Sequence, residues 1–279
     1  MAKFAITIGV NKYYDENIRD LKYAASDAEK VRDFLIQEEN FDEVFCYTDN
    51  SPLDKLPEYK KLRRFFARTE HYLLTGDDLW FFFAGHGRRG DDQIDYLLVS
   101  DSDVEDIEGS SLSVNYVIQR LQLIGADKII VIIDACRDNE DSCIGEKTQQ
   151  QIRKMGQISI FSCSRYEYSR EEPKIQQGVF THTLLKAFRR GQVTPKKLDE
   201  YLPSEIAKLS KQTPIVNFSS ISQSNLILTS KYANQDDIEN LRRDAFTASK
   251  KEKWYDANLL FKNLKNVKNV KKDVELDRE

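Results

Sequence analysis

The sequence lacks several features that would assign it to common classes of protein. No apolar run approaches the roughly 20 residues needed to cross a bilayer. The first residues, MAKFAITIGV, lack the layout of a signal peptide and have the composition of a strand. The four cysteines show neither a C-x-x-C pair nor the spacing of a disulfide framework. We therefore expect a reduced, cytoplasmic protein that does not enter a membrane.

An excess of basic residues is also missing. Lysine and arginine number 42 against 46 aspartates and glutamates, which gives a net charge of −4. This balance gives no reason to expect nucleic acid as a partner. Hydrophobic residues make up 40% of the chain, enough for a sizeable core, and its 279 residues fit one large domain with a small appendage.

Short apolar runs alternate with amphipathic segments along most of the chain. The pattern predicts strands at 3–10, 43–49, 77–85, 127–138, 157–164 and 225–231. It predicts helices at 20–37, 54–74, 111–125, 178–191 and 195–210. Buried strands separated by helices indicate an α/β fold, with a mostly parallel six-stranded sheet flanked by helices. Ligands bind beyond the carboxyl ends of the strands in such sheets.

Residues 234–279 have a different pattern, with many charges and neither glycine nor proline. Their apolar residues fall on one face of each of two segments, which predicts a C-terminal helical hairpin after a main domain at 1–231. The alanine and Phe261 spacing resembles one tetratricopeptide unit, which cannot bury its own face alone. The hairpin therefore either packs on the main domain or starts a repeat array. It either only covers the core or also regulates the protein and recruits a partner.

Two chemically reactive residues stand at the ends of predicted strands. His86 follows one strand in FFFAGHGRRGDD, and Cys136 ends the next in IIVIIDACRD. An imidazole can activate a thiol as a nucleophile, and the N–H groups of Gly87 and Cys136 can stabilise an oxyanion. Each residue alone is more typical of a core cysteine or a turn histidine, but the pair indicates a catalytic site. A metal site needs three or four ligands, and no third histidine or cysteine has suitable spacing.

These two blocks resemble the catalytic blocks of the caspase-like cysteine proteases. FAGHGRRG and IIDACRD place His86 and Cys136 50 residues apart, the interval found in caspases. Asp134 stands where caspases proper have glutamine, and this is the residue that metacaspases and orthocaspases have there. Residues 6–31 and 178–188 resemble two further blocks of these families. The resemblance covers about residues 1–230.

The resemblance implies a caspase-like three-layer sandwich and the activity of a cysteine endopeptidase. Cys136 would be the nucleophile and form a thioester acyl-enzyme, and His86 would be the general base and acid. Gly87 and Cys136 would supply the oxyanion hole. Asp27 and Asp134 would line the pocket for the residue before the cut bond, which predicts cleavage of proteins or peptides after Arg, then Lys.

The resemblance also divides the domain into a large-subunit-like half, 1–140, and a small-subunit-like half, 157–231. A polar linker, 137–156, joins them, and we expect it to be a flexible loop. Flexible loops are the usual sites of proteolytic nicking, so we expect self-processing in this segment. The basic residues available for the cut are Lys147, Arg153 and Lys154.

Two groups of acidic residues stay open at this point. Many metacaspases use calcium held by aspartates, and the candidates here are Asp91, Asp92, Asp101, Asp103 and Asp106. They do not match the family position by position, and solvated loop acids are the simpler explanation. Glu171 and Glu172 precede the GVFT block, where they either contact substrate or face solvent.

A catalytically silent caspase fold that serves as an interaction or scaffold module is the main alternative to an active protease. The presence of both His86 and Cys136 argues against it, because a binding module needs neither residue. The sequence names no substrate, activation trigger or pathway.

Overall fold

The computed structural model describes residues 2–74, 77–136, 145–164, 167 and 169–276. The strands are β1 (Lys3–Gly9), β2 (Glu43–Thr48), β3 (Asp78–Arg89), β4 (Asp95–Leu97), β5 (Leu112–Ser113), β6 (Lys128–Cys136), β7 (Ile158–Phe161), β8 (Glu171–Glu172), β9 (Gln177–Gly178) and β10 (Ile215–Asn217). The α-helices are α1 (Ala24–Gln37), α2 (Tyr59–Arg68), α3 (Ile107–Ser110), α4 (Val114–Ile124), α5 (Glu146–Lys154), α6 (Val179–Arg189), α7 (Pro195–Ile206), α8 (Ile221–Ser224), α9 (Gln235–Lys250) and α10 (Trp254–Leu276).

The central sheet has the strand order β10-β7-β6-β3-β1-β2. The five strands from β7 to β2 run parallel, and β10 pairs antiparallel with β7 at one edge. At its carboxyl end, β3 continues beyond the parallel part and pairs with β4, which in turn pairs with β5. The structure thus confirms the predicted mostly parallel six-stranded sheet.

Helices cover both faces of the sheet, and the central strand β3 shows why its sequence is apolar without alternation. Trp80 and Phe82 pack into the hydrophobic cluster on the face covered by α1, α6 and α7. Phe81 and Phe83 pack into the cluster on the opposite face, under α2 and α4. Because successive side chains of a strand point to opposite faces, a strand buried on both sides is apolar at every position. The result is the expected three-layer sandwich.

The pairing of β3 with β6 sets the register at the centre of the sheet. It runs from Asp78 opposite Lys128 to His86 opposite Cys136. At its first position, Lys128 Nζ and Asp78 Oδ2 form a buried ion pair of 2.5 Å. A shift of the register by one residue would separate these two buried charges, which is costly. The ion pair therefore favours the one register that brings His86 beside Cys136.

The prediction of a sixth strand at 225–231 is wrong, and β10 takes the edge position instead. The backbone N–H and C=O groups of this segment hydrogen-bond to two side chains and to one backbone carbonyl outside any strand. Asn263 accepts from Ile227 N and donates to Ile227 O, each at 2.9 Å. Leu228 N donates to Val193 O, and Ser230 N donates to the buried Glu39 carboxylate. Apolar composition predicted burial correctly, but burial here does not require a strand partner.

The predicted loop over 137–156 is also wrong where the structure describes it, because residues 146–154 form α5. Ile152 is fully buried in the core beneath this helix. At the helix start, Asp95 accepts hydrogen bonds from Gly145 N and the Thr148 hydroxyl. One buried isoleucine and one buried carboxylate fix a segment whose composition is otherwise polar. Residues 137–144 of the predicted linker lie outside the described residues.

The C-terminal segment forms the predicted helical pair, α9 and α10. Asn234 caps α9 in a reciprocal capping box with Asp237. The inner faces of both helices contribute Leu241, Ala245 and Leu260 to the cluster that covers one face of the sheet. The hairpin thus packs on the main domain, as one of the two alternatives requires. Among the described residues, no helix is long and apolar enough to cross a membrane.

The double hydrogen bond of Asn263 generates a test of how the hairpin is held. We expect Asn263→Ala to lower the free energy of unfolding by about 3 kcal/mol, because it leaves the buried N–H and C=O of Ile227 unsatisfied. Urea unfolding measures this change. Asn258→Ala, at an exposed position of the same helix, should change stability by less than about 0.5 kcal/mol. Equal losses in the two variants would contradict the role given to Asn263.

Candidate active site

His86 lies at the carboxyl end of the parallel part of β3 and is buried, with 2% of its surface exposed. Its backbone N–H donates to the Tyr13 hydroxyl at 2.9 Å, and its ring packs against the Tyr13 ring at 5.1 Å. Its Nε2 lies 2.6 Å from the carbonyl oxygen of Arg19. A carbonyl can only accept, so Nε2 carries the proton. In the neutral ring, Nδ1 is then the basic nitrogen.

Cys136 is the register partner of His86 on the adjacent strand β6. Neighbouring strands lie about 4.8 Å apart, so the structure brings the backbones of the two predicted catalytic residues directly side by side. The side chain of Cys136 lies outside the described part of the chain. Its role as nucleophile stays a prediction.

Gly87, the first predicted oxyanion donor, is the residue at which β3 begins to pair with β4, opposite Leu97. It directly follows His86 and therefore lies at the same end of the sheet as Cys136. Without a side chain, its backbone can approach a ligand closely. The placement of Gly87 suits an oxyanion donor, and the assignment itself stays a prediction.

The structure brings the two predicted pocket acids, Asp27 of α1 and Asp134 of β6, to the same place beside Gly178. Gly178 N donates to Asp27 Oδ2 at 2.9 Å. A Cβ atom on Gly178 would lie 2.7 Å from Asp27 Oδ2 and 3.1 Å from Asp134 Oδ2. Glycine at this position therefore allows the backbone to pass between two carboxylates. Together they line a cavity of about 40 Å³ with Ala84 and Leu21.

Hydroxyl and amide groups solvate both acids. Asp134 accepts from the Ser169 hydroxyl at 2.5 Å and from the Thr181 hydroxyl at 2.8 Å. Asp27 accepts a further bond from Gln177 Nε2 at 3.4 Å. None of these hydrogen-bond donors carries a positive charge. The basic residue Arg170 also lines the cavity, and the charge of Lys30 lowers the pKa of Asp27.

Burial raises the pKa of Asp134 and raises that of Asp27 well above its usual range. The negative charge of Asp134 raises the pKa of Asp27 further, and Glu171 does the same for Asp134. Both carboxyls therefore hold protons more readily than solvated acids. A cation entering the pocket would favour their ionised forms.

Glu171 is a third acid at this pocket, and the sequence had left its role open. Its Oε1 accepts hydrogen bonds from Lys22 N and Tyr23 N, at 2.9 and 2.6 Å, at the start of α1. The residue lies in β8, at the wall of the cavity that Asp27 and Asp134 line. Glu172 accepts instead from Lys174 N within its own turn. The two neighbouring glutamates thus differ, and only Glu171 borders the pocket.

The calcium candidates organise loops through hydrogen bonds. Asp92 accepts from Ile94 N and from the Tyr96 hydroxyl, and Asp106 caps α3 by accepting from Gly109 N. Within the described residues, no group of three histidine, cysteine or acidic side chains lies close enough together to hold a metal ion. Loop contacts are a sufficient explanation for these acids.

The cysteines depart in part from the expectation of a reduced chain. Of those whose side chains the structure describes, Cys46 carries a free thiol and Cys163 is disulfide-bonded. Burial raises the pKa of the Cys46 thiol, which makes it a poor nucleophile. Cys46 therefore offers no competing catalytic site.

Sequence patterns could not have identified two parts of this site. The carbonyl of Arg19 orients His86 through the backbone, which carries no side-chain signature. Ser169 and Thr181 reach Asp134 from outside its own strand. The only signal was that Thr181 belongs to the GVFT block that resembles the protease family.

Comparisons with known proteins identify the family of the chain. The family model described as the caspase domain of peptidase family C14 matches residues 2–229. The chain therefore belongs to the caspase-domain family, in the caspase-like cysteine protease superfamily. The fold is similar to the crystal structure of protein GSU0716 from Geobacter sulfurreducens, with a TM-score of 0.54 and 15% identity, over 78% of this chain and 92% of that one. No curated protein was found to match.

The raised pKa of Asp134 generates a prediction about stability and pH. When a folded-state pKa lies above its unfolded value, the folded state binds more protons, so stability falls as pH rises through that interval. We expect Asp134→Asn to remove this loss, because the amide stays neutral and the hydroxyl partners of residue 134 can rotate. Each unit of pKa difference corresponds to about 1.4 kcal/mol.

Urea unfolding at pH 5 and pH 8 measures the effect. The variant should gain stability over wild type at pH 8 relative to pH 5, whereas the exposed-site control Asp103→Asn should not. A pH profile of Asp134→Asn that runs parallel to wild type would show that Asp134 is already ionised in the folded protein.

Proposed function

We propose that this caspase-domain protein is a cysteine endopeptidase that cleaves after Arg, and less readily after Lys, using Cys136 and His86. The observation that carries the proposal is the in-register pairing of His86 with Cys136, next to a pocket that holds Asp27 and Asp134. A cysteine and histidine at adjacent strand ends can cleave an amide bond. Two buried acids supply the charge that a basic side chain needs.

The chemistry follows from the orientation of His86. Its Nε2–H is held by the Arg19 carbonyl, so Nδ1 accepts the thiol proton of Cys136. The thiolate attacks the substrate carbonyl carbon, and the N–H groups of Gly87 and Cys136 stabilise the oxyanion. The Nδ1–H then protonates the leaving amine, which leaves a thioester. Water, deprotonated by Nδ1, hydrolyses the thioester and releases the thiol.

Selection of a basic residue follows from the acidic pocket. A guanidinium can bond to Asp27 and Asp134 at once through its planar fork, and an ammonium cannot, which favours Arg over Lys. The same carboxylates repel an acidic side chain. At about 40 Å³ the cavity is too small for an arginine side chain. Substrate binding therefore requires this cavity to widen.

A silent scaffold is the second candidate, and the exposed aromatic residues of the hairpin offer it a binding surface. Trp254 and Tyr255 are 65% and 69% exposed, and Phe246 is 54% exposed. A regulatory partner that binds this hairpin is compatible with either function. The assays below distinguish a protease from a scaffold.

We expect Cys136→Ala and His86→Ala each to lower peptide hydrolysis by about 10³-fold or more, because the two groups act as a unit. Fluorogenic peptides with Arg before the cut bond, assayed in the presence of a reductant, measure this loss. Iodoacetamide should label Cys136 fastest. Cys46→Ala is the matched control and should keep full activity. Wild-type turnover by Cys136→Ala would contradict the assignment.

We expect a matched pair of peptides, with Arg or its uncharged isostere citrulline before the cut, to reveal the charge of the pocket. Arg should be preferred, and Asp134→Asn should reduce that preference by on the order of 10²-fold, since an unpaired buried cation costs several kcal/mol. Because the pKa values of both acids are raised, KM for the Arg peptide should fall as pH rises. KM for citrulline should not change with pH. Preferred cleavage after Asp would overturn the proposed specificity.

Self-processing remains a prediction that α5 now constrains. A helix must unfold locally before a protease can cut it, and the Arg153 guanidinium is hydrogen-bonded to Asn217. We therefore expect any cut to fall at Lys147 or Lys154, near the ends of the helix, rather than at Arg153. Fragment masses after incubation of the active enzyme identify the site, and Cys136→Ala should stay intact. An unbroken chain during full peptide turnover would show that no cut is required.

A further inference from the structure

A second cleft, separate from the acidic pocket, lies on the outer side of α1 and α6. Its volume is about 590 Å³, within the range of small-molecule sites. Helix α6 contributes His182, Leu185, Lys186 and Arg189, which share one helix face. Lys30, on α1, forms part of the opposite wall. Neither the proposed catalytic site nor the resemblance to caspases assigns a function to this cleft.

The cleft carries an excess of positive charge. Lys30, Lys186, Arg189 and Arg190 line it, against only Asp33 and Glu38. Both carboxylates are already engaged, Glu38 by Arg189 at 2.6 Å and Asp33 by Arg32 at 2.7 Å.

The remaining cations of the cleft are only weakly paired. Lys186 lies 3.7 Å from Glu205. Within the described residues, Lys30 and Arg190 form no ion pair, and they donate only to the Gln176 carbonyl and the Tyr201 hydroxyl. Within the described residues, two cationic groups of the cleft thus lack an ion-pair partner, and a third, Lys186, has only a loose one.

His182 lines the cleft and is affected by its positive charge. Burial lowers its pKa, and the charges of Lys186, Lys30 and Arg189 lower it further. Its Nδ1 lies 3.2 Å from Gln177 Oε1, which fixes the ring orientation because the amide oxygen can only accept. The other ring nitrogen, Nε2, is then available to a ligand as acceptor, or as donor once the ring is protonated.

We propose that this cleft binds a small organic phosphate. Lysine and arginine side chains from two helices match the charge and the several acceptor oxygens of a phosphate. The cleft is much larger than inorganic phosphate, and Leu185 adds an apolar wall for the organic part of the ligand. Gln177 contacts His182 on one side and Asp27 on the other. A ligand in the cleft therefore lies one side chain away from the acidic pocket.

Calorimetric titration of the purified chain tests the site with a panel of nucleoside monophosphates and sugar phosphates. Adenosine and inorganic phosphate are the comparison ligands. We expect at least one organic phosphate to bind at least about tenfold more tightly than either comparison ligand. Its binding should shift the imidazole NMR signals of His182. Lack of binding by every member of the panel would overturn the proposal.

A charge-matched pair of variants separates a built site from general attraction. Lys30→Gln with Lys186→Gln should weaken binding at least about tenfold. Lys60→Gln with Lys265→Gln removes the same charge from exposed positions elsewhere and should leave binding unchanged. Equal weakening in both pairs would overturn the site. A phosphoserine peptide is the last member of the panel. If only that peptide binds, the proposal of a small organic phosphate is wrong and the cleft is a site for a phosphorylated protein.

Discussion

The site depends on one constraint, the register between β3 and β6. Asp78 and Lys128 form a buried ion pair at one end of the pairing, and His86 and Cys136 face each other eight positions later. A slip of one residue would move His86 along the strand by about 3.3 Å and would separate the buried charges of Asp78 and Lys128. Asp78 and Lys128 are 50 residues apart in the sequence, as are His86 and Cys136, because both pairs belong to one register. Charge pairing at the amino end thus favours the register that places His86 beside Cys136 at the carboxyl end.

The acidic pocket shows what such a site demands of the rest of the fold. Asp27 and Asp134 are both buried, and the charge of Asp134 raises the pKa of Asp27. Neutral donors hold them, with Gly178 between them because a side chain there would collide with both. A cation in place of these donors would stabilise the empty pocket but would also compete with a basic substrate. Burial of two neighbouring acids among neutral donors is thus obtained at the expense of folding stability.

The sequence predicted the parts of the structure that depend on composition and local spacing. The positions of His86 and Cys136 at the carboxyl end of the parallel sheet, the sheet itself and the C-terminal helices all follow from such local patterns. It failed where a distant group decides the local structure. Asn263 replaces a strand partner for Ile227, and Asp95 fixes the start of α5. The Arg19 carbonyl that orients His86 has no signature at all, since every residue has a carbonyl.

The hairpin extends this argument to the whole molecule. A single pair of helices cannot bury its own apolar face, and here Leu226 and Ile227 cover that face together with the core behind the sheet. In turn, Asn263 of the hairpin hydrogen-bonds to the backbone N–H and C=O of Ile227. The segment thus buries apolar side chains of the hairpin, and the hairpin satisfies backbone polar groups of the segment. A partner that binds the outer aromatic residues of the hairpin would therefore act on a unit coupled to the sheet through this shared segment.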